Sequence, residues 1–276
     1  MDQVDQLMSL PRAVLLALWL QGTGPGEPSP QTLGVALRAI QDEDEPHTVA
    51  GAEDLVPDGA PLADLLRRWA GADQVAALLP VPGDVSGAPA AVADLAVDAG
   101  ECLLVHHEGR SWAAVPEVEG FGSELEPGFL VTWRLHEVED WRARLPGVVG
   151  TLPEAEQALR HALREATEAL AGLDVARWRP DAAEAIVALR GDDDPGWLLP
   201  TGLSPRAVRV LAQAWRLRAI VALATADDGG AVNLWQADQR SAALRHVDHA
   251  ARRAAAAATL GRPRLGQPED QPRTVR

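Results

Sequence analysis

Apolar residues from Ala13 to Leu20 run nearly unbroken behind Ser9 and Pro11, which predicts a buried helix opening at Pro11. The Gly22-Thr-Gly-Pro-Gly26 stretch that follows, up to Pro30, is a loop. A rhythm then sets in, with a helix over 32–41 followed by a short apolar piece, His47 to Gly51. Pro61 opens a second helix, through Ala70, that places Leu62, Leu65, Leu66 and Trp69 on one face, and Gln74 to Val81 follows as a buried strand. The third unit is a helix from Ala88 to Ala99 and a strand from Glu101 to His107. Helices alternating with short apolar strands predict an α/β layer with parallel pairing among those strands.

After His107 the order changes. Glu108-Gly109 is a hairpin turn into a strand over Ser111 to Val115, and Pro127-Gly128 leads into another over Phe129 to Leu135, so the sheet should be mixed, with an antiparallel edge. From Thr151 onward the pattern is helical throughout. Thr151 and Glu154 make a capping box for a helix ending at Gly172. Asp181 caps another, Ala182 to Arg190. Ser204 with Pro205 opens a helix to about Ala226, with Val208, Leu211, Trp215, Ala219 and Ala222 along one face. Leu234 to Leu260 forms the last helix, ending in the Ala254 to Ala258 run. The expected fold is therefore an α/β N-terminal region with a small mixed sheet, followed by an all-α helical bundle region. Expected boundaries are 1–148 and 151–260, with 261–276 a disordered tail.

Composition narrows the chemistry. The 276 residues carry 40 acidic side chains against 25 cations, all of them Arg, for a net charge of −15. Without Lys or Tyr, Schiff-base lysines, the P-loop lysine and tyrosine general acids are excluded. The lone Cys102 can form no internal disulfide, and the Ala13 to Leu20 run is too short to span a bilayer and lacks a basic flank, so a cytoplasmic address is expected. Charge is uneven: residues 1–150 hold 8 Arg against 24 acids, whereas 201–276 hold 12 against 6. Such asymmetry serves either an acidic partner or attraction between the two halves.

Reactive constellations are sparse. His246 and His249 lie one turn apart on a helix, but Asp248 points off their shared face and no thiolate site is available, so no metal is expected. His106 and His107 are adjacent on a strand and face opposite ways. Neither Gly120-Phe-Gly-Ser-Glu124 nor Gly83-Asp-Val-Ser-Gly87 completes a nucleophile elbow, and Cys102 stands about 13 Å along the strand from His106. The glycines at 22, 24 and 26 follow a helix, the wrong setting for a dinucleotide turn. No cofactor is implied.

Two loops are candidate ligand sites. Pro82 to Gly87 leaves the end of a predicted buried strand and precedes a helix, which nominates Asp84 and Ser86. Asp227, Asp228 and Asn233 gather between the two longest helices of the second region. Trp178 and Trp197, in loop-like segments, and Phe121 are candidate partner anchors, whereas Trp19, Trp69 and Trp215 are expected in the core. Arg206, Arg209 and Arg216 form, with Gln213, a polar stripe. The leading expectation is a cytoplasmic, non-catalytic binding or adaptor protein that meets a protein partner or itself, and no membrane. A small-molecule sensor or enzyme using the Asp84 loop is one alternative, and a nucleic-acid binder through the Arg-rich C-terminal helices is another.

Overall fold

The structure, a computed structural model, describes residues 7–41, 45–123, 126–172, 196–225 and 234–261. Helix α1 (Arg12–Gly22) buries every residue from Ala13 to Leu20, so it is enclosed on all sides. Leu16 and Leu20 keep no exposed surface and contribute roughly 2 kcal/mol apiece by burial. Helix α2 (Pro30–Ile40) starts where Ser29 Oγ accepts the Thr32 amide at 3.1 Å. Strand β1 (His47–Ala50), helix α3 (Leu62–Arg68) and strand β2 (Gln74–Leu78) follow. A 3-10 turn at Ala90–Val92 leads into α4 (Ala93–Ala99), which Gly100 ends at φ 72°.

Strands β3 (Cys102–His107) and β4 (Arg110–Ser123) are joined by Glu108 and Gly109, at φ 51° and 78°, the left-handed pair a two-residue hairpin requires. Strand β5 (Glu126–Val138) completes a mixed sheet of order β1-β5-β4-β3-β2. Both β4 and β5 run past the limits read from the sequence, because Gly120, Gly122 and the Pro127-Gly128 pair interrupt the alternation that marks a strand. Helices α5 (Leu145–Val149), α6 (Leu152–Gly172), α7 (Pro205–Thr225) and α8 (Leu234–Thr259) close the described chain. Thr151 and Glu154 form the expected capping box: the Glu154 carboxylate accepts the Thr151 amide at 2.8 Å.

The expected parallel pairing of the first three strands is corrected. β2 and β3 are antiparallel neighbours, with Ala76 opposite Leu104, and β1 lies at the far edge, parallel to β5. Alternation alone fixes no strand direction: β3 begins where β2 ends, with Cys102 opposite Leu78, so the 79–101 connection, α4 included, returns the chain to the end of the sheet it left. The clean succession of sheet and separate bundle is corrected as well. One face of the sheet packs under α1, α2 and α3, and Leu211, Trp215, Ala219 and Leu223 of α7 enter that same core with Ala255 and Ala258 of α8. The opposite face, with Ala76, Leu78, Cys102 and Leu104, is covered by α4, Trp141 and α5, and Ala256 of α8 joins it. A third core unites α6, α7 and α8 around Leu159, Ala214 and Val247.

α8 thus straddles the edge of β2. Thr259 Oγ1 accepts the Ala77 amide at 2.9 Å, Gly261 donates to the Val75 carbonyl at 3.0 Å, and Gln21 donates to the Thr259 carbonyl at 2.6 Å. Outward-facing polar groups of an edge strand need partners, and the end of α8 supplies them. Among the described residues no helix is long and apolar enough to cross a membrane.

Candidate functional site

The Asp84 loop begins as a tight turn. Pro82 and Gly83 occupy its centre, Gly83 at φ 85°, while Val81 and Asp84 exchange two backbone hydrogen bonds of 2.9 Å. Asp84 Oδ1 then accepts the Ser86 amide at 2.9 Å, which holds Ser86 at φ 52° and turns its hydroxyl inward to donate to the Leu79 carbonyl at 3.2 Å. Onto this loop α8 lowers His249 and Arg252. His249 Nδ1 donates to Asp84 Oδ2 at 2.8 Å, and Arg252 Nη2 lies 2.9 Å from the same oxygen.

Arg252 spends its whole guanidinium here. Nη1 donates to the Ser86 hydroxyl (2.8 Å) and the Leu79 carbonyl (3.1 Å), and Nε donates to Asp248 Oδ2 (2.8 Å). Asp248 in turn accepts from Arg218 Nε at 3.0 Å, and Arg218 lies 4.7 Å over the Trp215 ring. Burial would raise the Asp84 pKa, but the Ser86 amide, His249 and Arg252 outweigh it and hold the carboxyl below its usual range. The site expected to take a ligand is filled by the protein's own Arg252. The rule that placed a ligand there belongs to parallel sheets, whereas β2 is an antiparallel edge strand. Asp84 and Ser86 therefore act as the receptor of a clamp between the sheet and α8.

A second polar cluster escaped the sequence reading. Arg12, at the start of α1, binds Glu45 through two hydrogen bonds of 2.7 and 2.6 Å. Glu45 Oε1 also accepts from His47 Nε2 at 2.8 Å, while Trp133 Nε1 donates to His47 Nδ1 at 3.2 Å. That indole proton fixes the tautomer, because Nδ1 must accept and Nε2 carry the hydrogen. Burial would raise the Glu45 pKa, but Arg12 and His47 hold it below the ordinary value. Glu101 completes the cluster, accepting the Ala13 amide at 2.7 Å with Arg12 3.9 Å away. Burial pushes its pKa up to about 7, against the pull of the Ala13 amide and Arg12. A carboxyl titrating near neutrality is a candidate acid or base, but Glu101 is 7% exposed and its hydrogen bond goes to the first turn of α1, a structural attachment. The available signal was a glutamate fused to the apolar strand Cys102–Val105; it was read as the strand's end.

The third candidate is a ribbon. β3 pairs with β4 only as far as Ala114, and β1 pairs with β5 only from Val131 onward, so the segments between pair with each other alone in the named ladders. Phe121 is 52% exposed on this ribbon, accompanied by exposed Val118, Phe129 and Leu130. Phe121 lies across Gly128, where an added Cβ would stand 2.4 Å from the ring, and Phe129 lies over Gly120. A groove of about 590 Å³ elsewhere, between α3 and the β3–β4 turn, is lined by Arg67, Arg68 and His107. Its cations are already paired, Arg67 with Asp64 and Arg68 with Glu108, each at 2.7 Å.

The remaining nominated residues divide. Trp197 is half-buried, and its indole donates to the Met8 carbonyl at 2.8 Å, beside Trp215, which donates to Ser9 at 2.9 Å. Trp19, Trp69 and Trp215 are buried as expected. Arg206 is exposed and pairs with Glu156 of α6 at 2.7 Å, Arg209 is exposed on the same helix, and Arg216 is half-buried and partnered. Trp178, Asp227, Asp228 and Asn233 lie outside the described residues. His246 and His249 have separate partners, Glu165 and Asp84, and no group of potential metal ligands assembles among the described residues.

Comparison with known proteins places this architecture. Residues 13–146 match the N-terminal domain of the Rv1486c-like proteins, and residues 153–256 match the C-terminal domain. Neither a curated protein nor a solved structure matches the chain. With both domains present in order over most of its length, the chain belongs to the Rv1486c-like protein family.

Proposed function

We propose that this chain is a non-catalytic binding or adaptor protein of the cytoplasm that docks a protein partner through the β4–β5 ribbon. The observation that carries this reading is the ribbon itself: a two-stranded extension with four exposed apolar side chains, two of them aromatic rings set against glycines of the opposite strand. Large exposed apolar residues gathered on one projection are the usual mark of an interaction surface. The partner is basic. Residues 117–130 contain four Glu and no Arg, and Arg134, just beyond, is bound to Glu117 at 2.7 Å. The two buried polar clusters support the reading from the other side, since the Asp84 and Glu45 carboxylates are engaged by internal cations.

The test compares affinity purification of the wild-type chain with that of a Phe121→Ser, Phe129→Ser double variant. The expected outcome is a protein with a basic surface that accompanies the wild type in stoichiometric amount, is lost from the variant, and binds again when both are purified. The variant should melt close to the wild type, because both rings are exposed. Identical profiles from the two proteins would refute the reading. The small-molecule alternative is less favoured because Arg252 fills the Asp84 loop, and the nucleic-acid alternative because Arg206, Arg218 and Arg252 are ion-paired within the fold.

A further inference from the structure

We propose that the partner grips the ribbon on both faces, in a cleft with apolar walls and Arg or Lys at its rim. This rests on the reading of the ribbon as a docking element and adds the shape and charge of what holds it.

The register sorts the side chains. Val118 stands opposite Val131, and Gly120 opposite Phe129, on the face that continues inward to Trp133. Glu119 stands opposite Leu130, and Phe121 opposite Gly128, on the other face, which also carries Glu117. Exposed apolar groups therefore occur on both sides: Val118 and Phe129 at 46% and 44%, Phe121 and Leu130 at 52% and 43%. A partner lying against one side would leave the other pair in water.

Area points the same way. Eight residues from Pro116 to Ser123 extend about 27 Å, and two strands with their side chains are about 10 Å wide, so one face offers about 270 Å². A specific interface takes about 800 Å² from each partner. Engaging both faces and the edges brings the ribbon much closer to that figure. Self-association is the poorer fit, because a two-fold contact uses one face of each copy and leaves the other apolar pair in water, and through the Phe121 and Leu130 face it would also bring Glu117 and Glu119 of both copies together. The contacts of Phe121 with Gly128 and of Phe129 with Gly120 restrict both rings before binding, which lowers the ordering cost.

The experiment places a photo-crosslinking phenylalanine analogue in the full chain at Val118, at Leu130, or at exposed Leu163 of α6 as control, in cells of the source organism. The expected result is that positions 118 and 130 capture the same protein and position 163 does not. Binding of that purified protein to the wild-type chain should weaken at least about tenfold between 50 and 300 mM salt. Capture from one position alone overturns the cleft and leaves the docking reading standing. Capture of the chain by itself alone, from either position, replaces the cleft with a self-contact and overturns the inference. Salt-independent binding overturns the basic rim, and no capture from 118 or 130 overturns both proposals.

Discussion

Replacing Glu101 by glutamine should make the protein more stable at alkaline pH and leave it nearly unchanged in mild acid. Burial raises this carboxyl from 4.5 to about 7, whereas in the unfolded chain it titrates near its ordinary value. Between those two values the folded protein holds a proton that the unfolded chain has released. Stability then falls as pH rises through the window, and the loss is complete above about pH 7. A difference of about 2.5 pH units at about 1.4 kcal/mol each corresponds to a loss of about 3.5 kcal/mol over the whole window. Glutamine copies the shape of the protonated acid, can still accept the Ala13 amide and cannot ionise. Urea denaturation of both proteins at pH 5 and pH 8 isolates this one group, because all other titrations are shared. The variant's advantage should grow by about 2.5 kcal/mol between the two conditions, because part of the window lies below pH 5. If the free-energy gap between the proteins is the same at both pH values, Glu101 is ionised throughout and the reasoning about its burial is wrong.

Three further outcomes follow from the packing. Arg252→Met takes from Asp84 and Asp248 a shared cation that is only 4% exposed; severing a buried pair costs about 3–5 kcal/mol, and the solvent and the remaining partners of the two carboxylates, the Ser86 amide and His249 at one and Arg218 at the other, reduce this to about 2–3, a drop of about 5 °C in a calorimetric melt. Thr259→Val leaves the Ala77 amide without its acceptor, costs about 1–3 kcal/mol, and should accelerate hydrogen exchange at that amide more than at Leu104 in the strand's interior neighbour. Ser29→Ala removes the cap from the Thr32 amide and should cost about 1 kcal/mol by chemical denaturation, with the ribbon's binding unchanged.

Local signals in this sequence are strong and long-range ones are weak. Pro205, the Thr151–Glu154 box and Gly172 fixed the limits of α6 and α7 nearly to the residue because helix ends are written in side chains that satisfy the first and last backbone groups. Strand pairing has no such local record. Gln74 to Leu78 reads as a buried strand whichever neighbour it takes, and its antiparallel pairing with β3 depends on where the 79–101 connection returns to the sheet. The Asp84 loop was singled out as a ligand site from its place between a buried strand and a helix, and the side chains that meet it come from residues 249 and 252, too far along the chain for spacing to reveal. Glu45, His47 and Glu101 were passed over for the same reason: each is unremarkable beside its sequence neighbours, and only the fold brings them around Arg12. Phe121 was singled out from the sequence and is exposed, while the ribbon that carries it was hidden by glycines and prolines within the strands.

Small side chains explain how the two domains of this family meet. Ala254 to Ala258 gives α8 a last turn without bulk, so the helix is buried on every side: Ala255 and Ala258 enter one core, Ala256 another, and Ala254 and Ala257 the helical layer. A thin helix can approach β2 closely enough for Thr259 to reach the Ala77 amide, and a leucine at 256 would wedge the two apart. The same approach brings Arg252 and His249 onto Asp84, so part of the cationic C-terminal third is neutralised against the acidic front of the chain. Closure of the β2 edge by α8, and of the sheet's faces by α1 to α5, leaves the β4–β5 ribbon, among the described residues, as the part of the sheet whose apolar side chains have no cover of their own. The packing that joins the two domains is therefore what concentrates the sheet's exposed apolar side chains on one acidic, two-sided projection.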